Sequence, residues 1–127
     1  MRTTKFTATI GVVSGYAGEA AIEAAKAYSM RDMGAAWQKA AAEVMASTGI
    51  YVSAVINTSA ALYHTDWGCP VGGEPTYTIS GSRNAQFCSD DEAWRNAVLM
   101  VVRIVKETFK QSTVTIEYES IEQEYLA

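Results

Sequence analysis

Histidine is nearly missing from this chain: 127 residues contain one, together with two cysteines and two prolines. Cys69 and Cys88 form no Cys-x-x-Cys, and a single histidine cannot complete with them the four-ligand set of a typical zinc site. Free thiols are expected. Basic charge is also scarce, with 10 Lys and Arg against 14 Asp and Glu and a net charge of −4. Neutralising a phosphate backbone needs a basic surface, so a DNA or RNA polymer is a poor partner, while a small anionic ligand needs only a few local donors. No apolar run is long enough to span a bilayer. The opening Met1-Arg2-Thr3-Thr4-Lys5-Phe6 lacks the apolar segment of a signal peptide. A cytoplasmic protein without membrane contact is therefore expected.

What is present is ordinary for one globular domain over 1–127: 49% hydrophobic and 19% charged residues, enough for one core and too few for two. Residues 3–13 alternate, with Thr4, Phe6, Ala8, Ile10 and Val12 on one side and Thr3, Lys5, Thr7 and Thr9 on the other, which predicts a half-buried strand. Gly15 and Gly18 break it. An alanine-rich helix is predicted over 18–28. A second runs over 30–47 from a Ser29 cap, with the stripe Met33, Trp37, Ala40 and Val44, and stops at Thr48-Gly49. Residues 50–64 read as one overlong strand, bent near Asn57-Thr58-Ser59 or overhanging its partner. A short strand follows over 75–81. A third helix begins near Ser89, where Ser89-Asp90-Asp91-Glu92 suits a capping box, and carries Trp94, Val98, Val101, Val105 and Phe109 inward. The last strand, 112–120, turns Val114, Ile116 and Tyr118 to the core. The order β-α-α-β-β-α-β predicts an α+β domain with a four-stranded antiparallel or mixed sheet and helices packed on it. Residues 97–105 read as apolar nearly all round, which calls for a second covering surface from the same chain or from another subunit; a domain this small has little left to cover it, so a homo-oligomer is expected.

Polar chemistry gathers in two loops. His64-Thr65-Asp66-Trp67-Gly68-Cys69-Pro70-Val71-Gly72-Gly73-Glu74 holds the one histidine, a tryptophan and three glycines. It is neither a P-loop, for no Gly-Lys-Ser/Thr follows, nor a dinucleotide fingerprint, for a strand comes next. It reads either as a glycine-rich hairpin connection or as backbone donors lining a pocket. In the second case Tyr63 and Trp67 would stack on a base, Gly72 and Gly73 would let the backbone approach, and Asp66 and Glu74 would accept from ribose hydroxyls. The second loop, Gly81 to Phe87, offers Arg83, Asn84 and Phe87 before a helix N-terminus, a setting that suits phosphate. Arg103, inside the apolar helix, reads either as part of a solvated basic stripe with Arg95, Lys106 and Lys110 or, if buried, as a charge that needs an acidic partner or a ligand phosphate. His64, Asp66 and Cys69 could suggest nucleophilic catalysis, but three groups in one flexible loop rarely hold that geometry. Binding without turnover is the expectation.

The run Tyr63 to Glu74, with Gly81-Ser82-Arg83-Asn84, the Trp94-Arg95 helix and Lys110-Gln111-Ser112-Thr113-Val114-Thr115, resembles the phage Thoeris anti-defence family of the first-described type. That resemblance implies a sponge in the host cytoplasm. It would be a homo-oligomer that sequesters a cyclic ADP-ribose isomer made by bacterial TIR proteins without cleaving it, some members also taking up cyclic oligonucleotides. It implies no catalytic residue, metal or cofactor. A hydrolase of a nucleotide signal and a protein-interaction module that binds no nucleotide are the alternatives.

Overall fold

The alternation of the first strand places three large side chains of the core. In a computed structural model of residues 1–127, β1 (Arg2–Gly11) is the third strand of a four-stranded sheet. Phe6, Ala8 and Ile10 are buried on one face. Phe6 stacks on Trp37 at 5.7 Å between ring centroids and meets Trp94 at 6.0 Å, so β1 is fixed to both long helices by aromatic contacts. Those helices are α2 (Met30–Thr48) and α3 (Asp91–Thr108), preceded by the short α1 (Ala20–Ala25). The remaining strands are β2 (Val55–Ala61), β3 (Glu74–Ser82) and β4 (Ile116–Glu122), in the spatial order β2-β3-β1-β4 with every pairing antiparallel. This is the α+β domain the sequence predicts.

Several local readings hold. Ser29 caps α2 with a full capping box, accepting from the Asp32 amide at 3.3 Å while its own amide donates to Asp32 Oδ2 at 2.7 Å. Gly49 ends α2 in the left-handed region at φ 80°. Trp94, Val98, Val101, Val105 and Phe109 are all buried, and both cysteines are free.

Four readings need correction. The first helix spans Ala20–Ala25 rather than 18–28, because Gly18 at φ 60° lies outside helical conformation. The overlong strand 50–64 reduces to Val55–Ala61. Residues 51–54 are outside the sheet; Trp37 Nε1 donates to the Val52 carbonyl at 3.0 Å, and the Ser53 carbonyl lies against Gly81. The cap of α3 is Asp90, which accepts from the Ala93 amide at 3.0 Å, and not Ser89. Finally, 97–105 is not bare all round. Ala97, Val98, Val101, Val102 and Val105 are buried within the chain itself, Leu99 and Met100 are exposed, and Arg103 lies in solvent. Arg103 therefore needs no buried partner, and the helix by itself makes no case for a second subunit.

Because the helices cover one face, the other face of the sheet collects hydroxyls. Thr7, Thr9, Ser59, Thr76 and Thr78 share it through the registers Thr9↔Thr78 and Ser59↔Thr76. Ser59 bonds both Thr76 and Thr78 at 2.9 Å. No helix of the structure is long and apolar enough to cross a membrane.

Gly81 tests this packing. A Cβ there would collide with the Ser53 carbonyl oxygen and stand 2.9 Å from Phe6 Cε1. Alanine would narrow the unfolded ensemble by about 0.4–1 kcal/mol, but overpacking against backbone costs about 1–3 kcal/mol. Gly81→Ala should thus lower Tm by roughly 3–10 °C in a thermal melt.

Candidate functional site

The start of β3 and the end of β1 meet on the open face of the sheet, and a cleft of about 310 Å³ lies there. Thr7, Thr9, Gly11, Glu74, Thr76, Gln111, Thr113 and Glu117 line it, with Ala61, Val114 and Thr115. It contains two carboxylates and no lysine or arginine. Strand alternation sets most of this wall, since Glu74 and Thr76 lie two apart on β3 and Thr7 and Thr9 two apart on β1.

Glu74 is held from one side. The Tyr63 hydroxyl donates to Glu74 Oε1 at 3.2 Å. Desolvation, then the charge of Glu74, pushes the Tyr63 phenol up to about 12, so it stays protonated and donating across the physiological range. Tyr16 meets the Tyr63 ring edge-on at 5.9 Å, and hydrogen bonds with Thr113 and then Ser112 hold the Tyr16 phenol below its ordinary range. Two loops support this pair. A Cβ at Gly68, where φ is 103°, would stand 2.9 Å from Tyr16 Cβ, so only glycine lets the 64–73 loop pack on the 12–19 loop. Glu19 adds a second tie, accepting from the Val71 amide at 2.9 Å.

The structure divides the residues singled out from the sequence. Tyr63 and Glu74 come together, Glu74 lining the cleft and Tyr63 bonded to it. Gly72 and Gly73, at φ 91° and 107°, form the turn leading into Glu74. Trp67 is 70% exposed, with its ring 5.6 Å from that of His64, and Asp66 is exposed beside it. His64 Nδ1 accepts from the Asp66 amide at 3.0 Å, which caps a single 3-10 turn, Thr65–Trp67. Cys69 is buried and donates weakly to the Ala61 and Pro70 carbonyls, so no cysteine–histidine pair forms.

The second loop lies elsewhere. Arg83 follows the far end of β3, roughly 25–30 Å from Glu74 at about 3.3 Å per strand residue. Its side chain is 11% exposed; Nε bonds Asp91 Oδ1 at 3.2 Å and Nη1 donates to the Cys88 carbonyl at 2.8 Å. Asn84 Oδ1 accepts from the Gln86 amide at 3.0 Å, a local turn. Phe87 is 77% exposed and meets Tyr125 edge-on at 5.8 Å. Arg103 belongs to a separate small depression beside Lys106 and Glu107. The base-plus-phosphate pocket imagined across both loops does not assemble within one chain.

Missed in the sequence were Gly11, Gln111 and the cleft threonines. A usable signal was present, since Thr3, Thr7 and Thr9 repeat along β1 and Thr76 and Thr78 along β3, but strand pairing is needed to see that they share one surface.

Comparison with known proteins identifies the family. The family model described as SAM lyase matches residues 1–127, and the chain belongs to that family. No curated protein matches it. Two solved structures share the fold. One is a phage SAM lyase in the apo state, at 16% identity and TM-score 0.64 over 99% of this chain and 94% of that one. The other is a phage SAM lyase in complex with S-methyl-5′-thioadenosine, at 16% identity and TM-score 0.60 over 98% and 93%. The family is one of enzymes, which overturns the expectation of binding without turnover. That expectation equated catalysis with a protein nucleophile and base. A lyase transfers no group to the protein or to water, so the lack of such a set excludes nothing. Neither the family nor the solved relatives support the Thoeris resemblance.

The Arg83–Asp91 contact carries its own prediction. Asp91 accepts from Thr4 Oγ1 at 2.6 Å and Arg95 Nε at 2.8 Å as well as from Arg83, and these partners, Thr4 first, hold its carboxyl below the usual range. A depressed folded-state value means a contribution complete above the unfolded value of about 3.9 and lost as pH falls through the folded one. Asp91→Asn should therefore melt below the parent at pH 7. The gap should close below about pH 4, read by thermal denaturation across pH 2–7.

Proposed function

We propose that this member of the SAM lyase family cleaves S-adenosylmethionine at the cleft beside Glu74, releasing S-methyl-5′-thioadenosine. The observation that carries this reading is the charge of the cleft: two carboxylates, Glu74 and Glu117, and no cation. S-adenosylmethionine brings a sulfonium and an ammonium, which such a site attracts. A cyclic ADP-ribose isomer brings a diphosphate, which it repels, and the half-buried Arg83 that could answer that charge lies at the far end of β3, bonded to Asp91 and Cys88. Capture of a Thoeris signal therefore finds no support in the electrostatics.

The atoms of the reaction follow from the product. S-methyl-5′-thioadenosine keeps the sulfur, its methyl group and the adenosine, so the bond broken is from sulfur to Cγ of the four-carbon amino-acid arm. The electron pair goes to sulfur, which becomes neutral. Cγ is taken by an oxygen of the substrate's own carboxylate, which closes a lactone. That displacement asks no proton transfer of the protein, and it suits a cleft holding neither histidine nor cysteine. It joins a carboxylate to a sulfonium and cancels both charges, so it runs faster as water is removed. A second copy of the chain packed on the open sheet face would exclude that water, and we infer a homo-oligomer on this ground.

Incubation with S-adenosylmethionine, followed by mass spectrometry, should show S-methyl-5′-thioadenosine and a four-carbon lactone. Label from H₂¹⁸O should be absent from the lactone. Intact S-adenosylmethionine after long incubation would overturn the reading, and a labelled homoserine as first product would make the protein a hydrolase. Glu74→Gln removes a charge facing a cation, worth about 1.5–3 kcal/mol in the bound state, and should weaken substrate binding roughly 10- to 150-fold, with a smaller fall in kcat/KM. Tyr63→Phe removes one hydrogen bond to that carboxylate and should cost about tenfold or less.

A further inference from the structure

Gln111 lies just past the end of α3, where the chain is turned by Lys110, the only non-glycine residue with positive φ, at 53°. Such a backbone is uncommon for lysine and persists where surrounding contacts require it. Here the turn directs the Gln111 side chain back toward β1. Its Nε2 donates to the Val13 carbonyl at 2.9 Å and to the Phe109 carbonyl at 3.1 Å. Both donors are then used, and two carbonyl partners leave no alternative assignment of the amide. Oε1 must face the cleft.

It does so over Gly11. A Cβ at Gly11 would stand 2.7 Å from Gln111 Oε1 and 3.2 Å from Glu74 Oε2. Two acceptors from different elements thus converge on the space above a residue with no side chain to fill it. Glu74 Oε1 already accepts from Tyr63, while neither converging oxygen receives a side-chain donor within the chain. Acceptors brought together without a donor form a place for positive charge.

We propose that Gln111 Oε1 and Glu74 Oε2, above Gly11, form a charge-selective subsite that holds the cationic group of the substrate and rejects the neutral thioether product. This rests on the reading that the substrate is S-adenosylmethionine and adds the means of product release. Cleavage turns sulfonium into thioether and separates the ammonium with the lactone, so the nucleoside product leaves a subsite that no longer attracts it.

Four probes separate the sources of charge: S-adenosylmethionine carries both cations, S-adenosylhomocysteine only the ammonium, 5′-deoxy-5′-dimethylsulfonioadenosine only the sulfonium, and S-methyl-5′-thioadenosine neither. Titration calorimetry should show the parent preferring the charged probes over S-methyl-5′-thioadenosine. Gln111→Ala should shrink that preference about tenfold while leaving affinity for the neutral product unchanged. Gly11→Ala leaves the Gln111 side chain in the protein but places a methyl between the two oxygens, 2.7 Å from where Gln111 Oε1 lies. The groups it meets are side-chain ends that can shift, so it should fold and lose the same preference. Which singly charged probe weakens identifies the cation held. Equal weakening of charged and neutral probes in both variants would make Gln111 merely structural and overturn the proposal. So would a preference left unchanged in both variants, or absent from a parent that turns over S-adenosylmethionine, with the function left standing. A parent that neither prefers a cation nor cleaves S-adenosylmethionine would overturn both.

Discussion

The cleft exists because one face of the sheet is claimed by aromatic packing and the other is left free. Phe6 lies between Trp37 of α2 and Trp94 of α3. Once Phe6, Ala8 and Ile10 face that contact, the pleat sends Thr7, Thr9 and the space at Gly11 to the opposite side, whatever their own preferences. A slip of one residue in the β1–β3 register would bury the threonines and expose the core. Glu74, Thr76 and Thr78 are placed by the same rule through their pairing with β1 and β2. The aromatic contact is on the far side of the sheet from the chemistry, yet it determines which side chains line it.

Cations are distributed in keeping with this. Arg83 and Arg95 are bonded to Asp91 at the N-terminus of α3, Arg2 pairs with Glu122 and Lys26 with Glu23. None lines the cleft. The Asp91 cluster also joins β1, through Thr4, to the start of α3, which makes Arg83 a fastening of the fold rather than a ligand contact. Two carboxylates in the cleft and a net charge of −4 give a field that draws a small cation inward.

Local rules in the sequence carried most of the elements. Ser29 with Asp32, Gly49, the β1 alternation and the α3 stripe each depend on neighbours within a few residues, so they could be read directly. Where a residue's role is decided at long range, reading failed. Residues 50–54 look like a strand but lie outside the sheet, against Trp37 and Gly81. Arg83 looks like a phosphate ligand until its Nε and Nη1 are seen bonded to Asp91 and the Cys88 carbonyl at the far end of β3. Tyr63 and Glu74 stand out in the sequence because they flank a glycine-rich loop that concentrates polar side chains. Gln111 was not, because nothing nearby in sequence announces that its oxygen meets Glu74 over Gly11, a convergence of three segments separated by the length of the chain.

The same distinction explains why the chemistry was misjudged. Searching for a nucleophile beside a base finds enzymes that lend a reacting group to their substrate. S-adenosylmethionine carries its own leaving group, already activated by the sulfonium, and its own carboxylate within reach of Cγ. What such a substrate needs is orientation and a dry surface, since effective molarities of well-oriented internal reactions are already large. A carboxylate beside the sulfonium stabilises the ground state more than a transition state in which that charge is fading, so on its own it improves capture rather than rate. On the proposed reaction the division of labour is then clear. Glu74 and Gln111 gather the cation, Tyr63 holds the Glu74 carboxylate in place, and the rate comes from folding the arm back on itself away from water. No single residue type announces such a site; the arrangement of ordinary threonines, one glutamate, one glutamine and one glycine does.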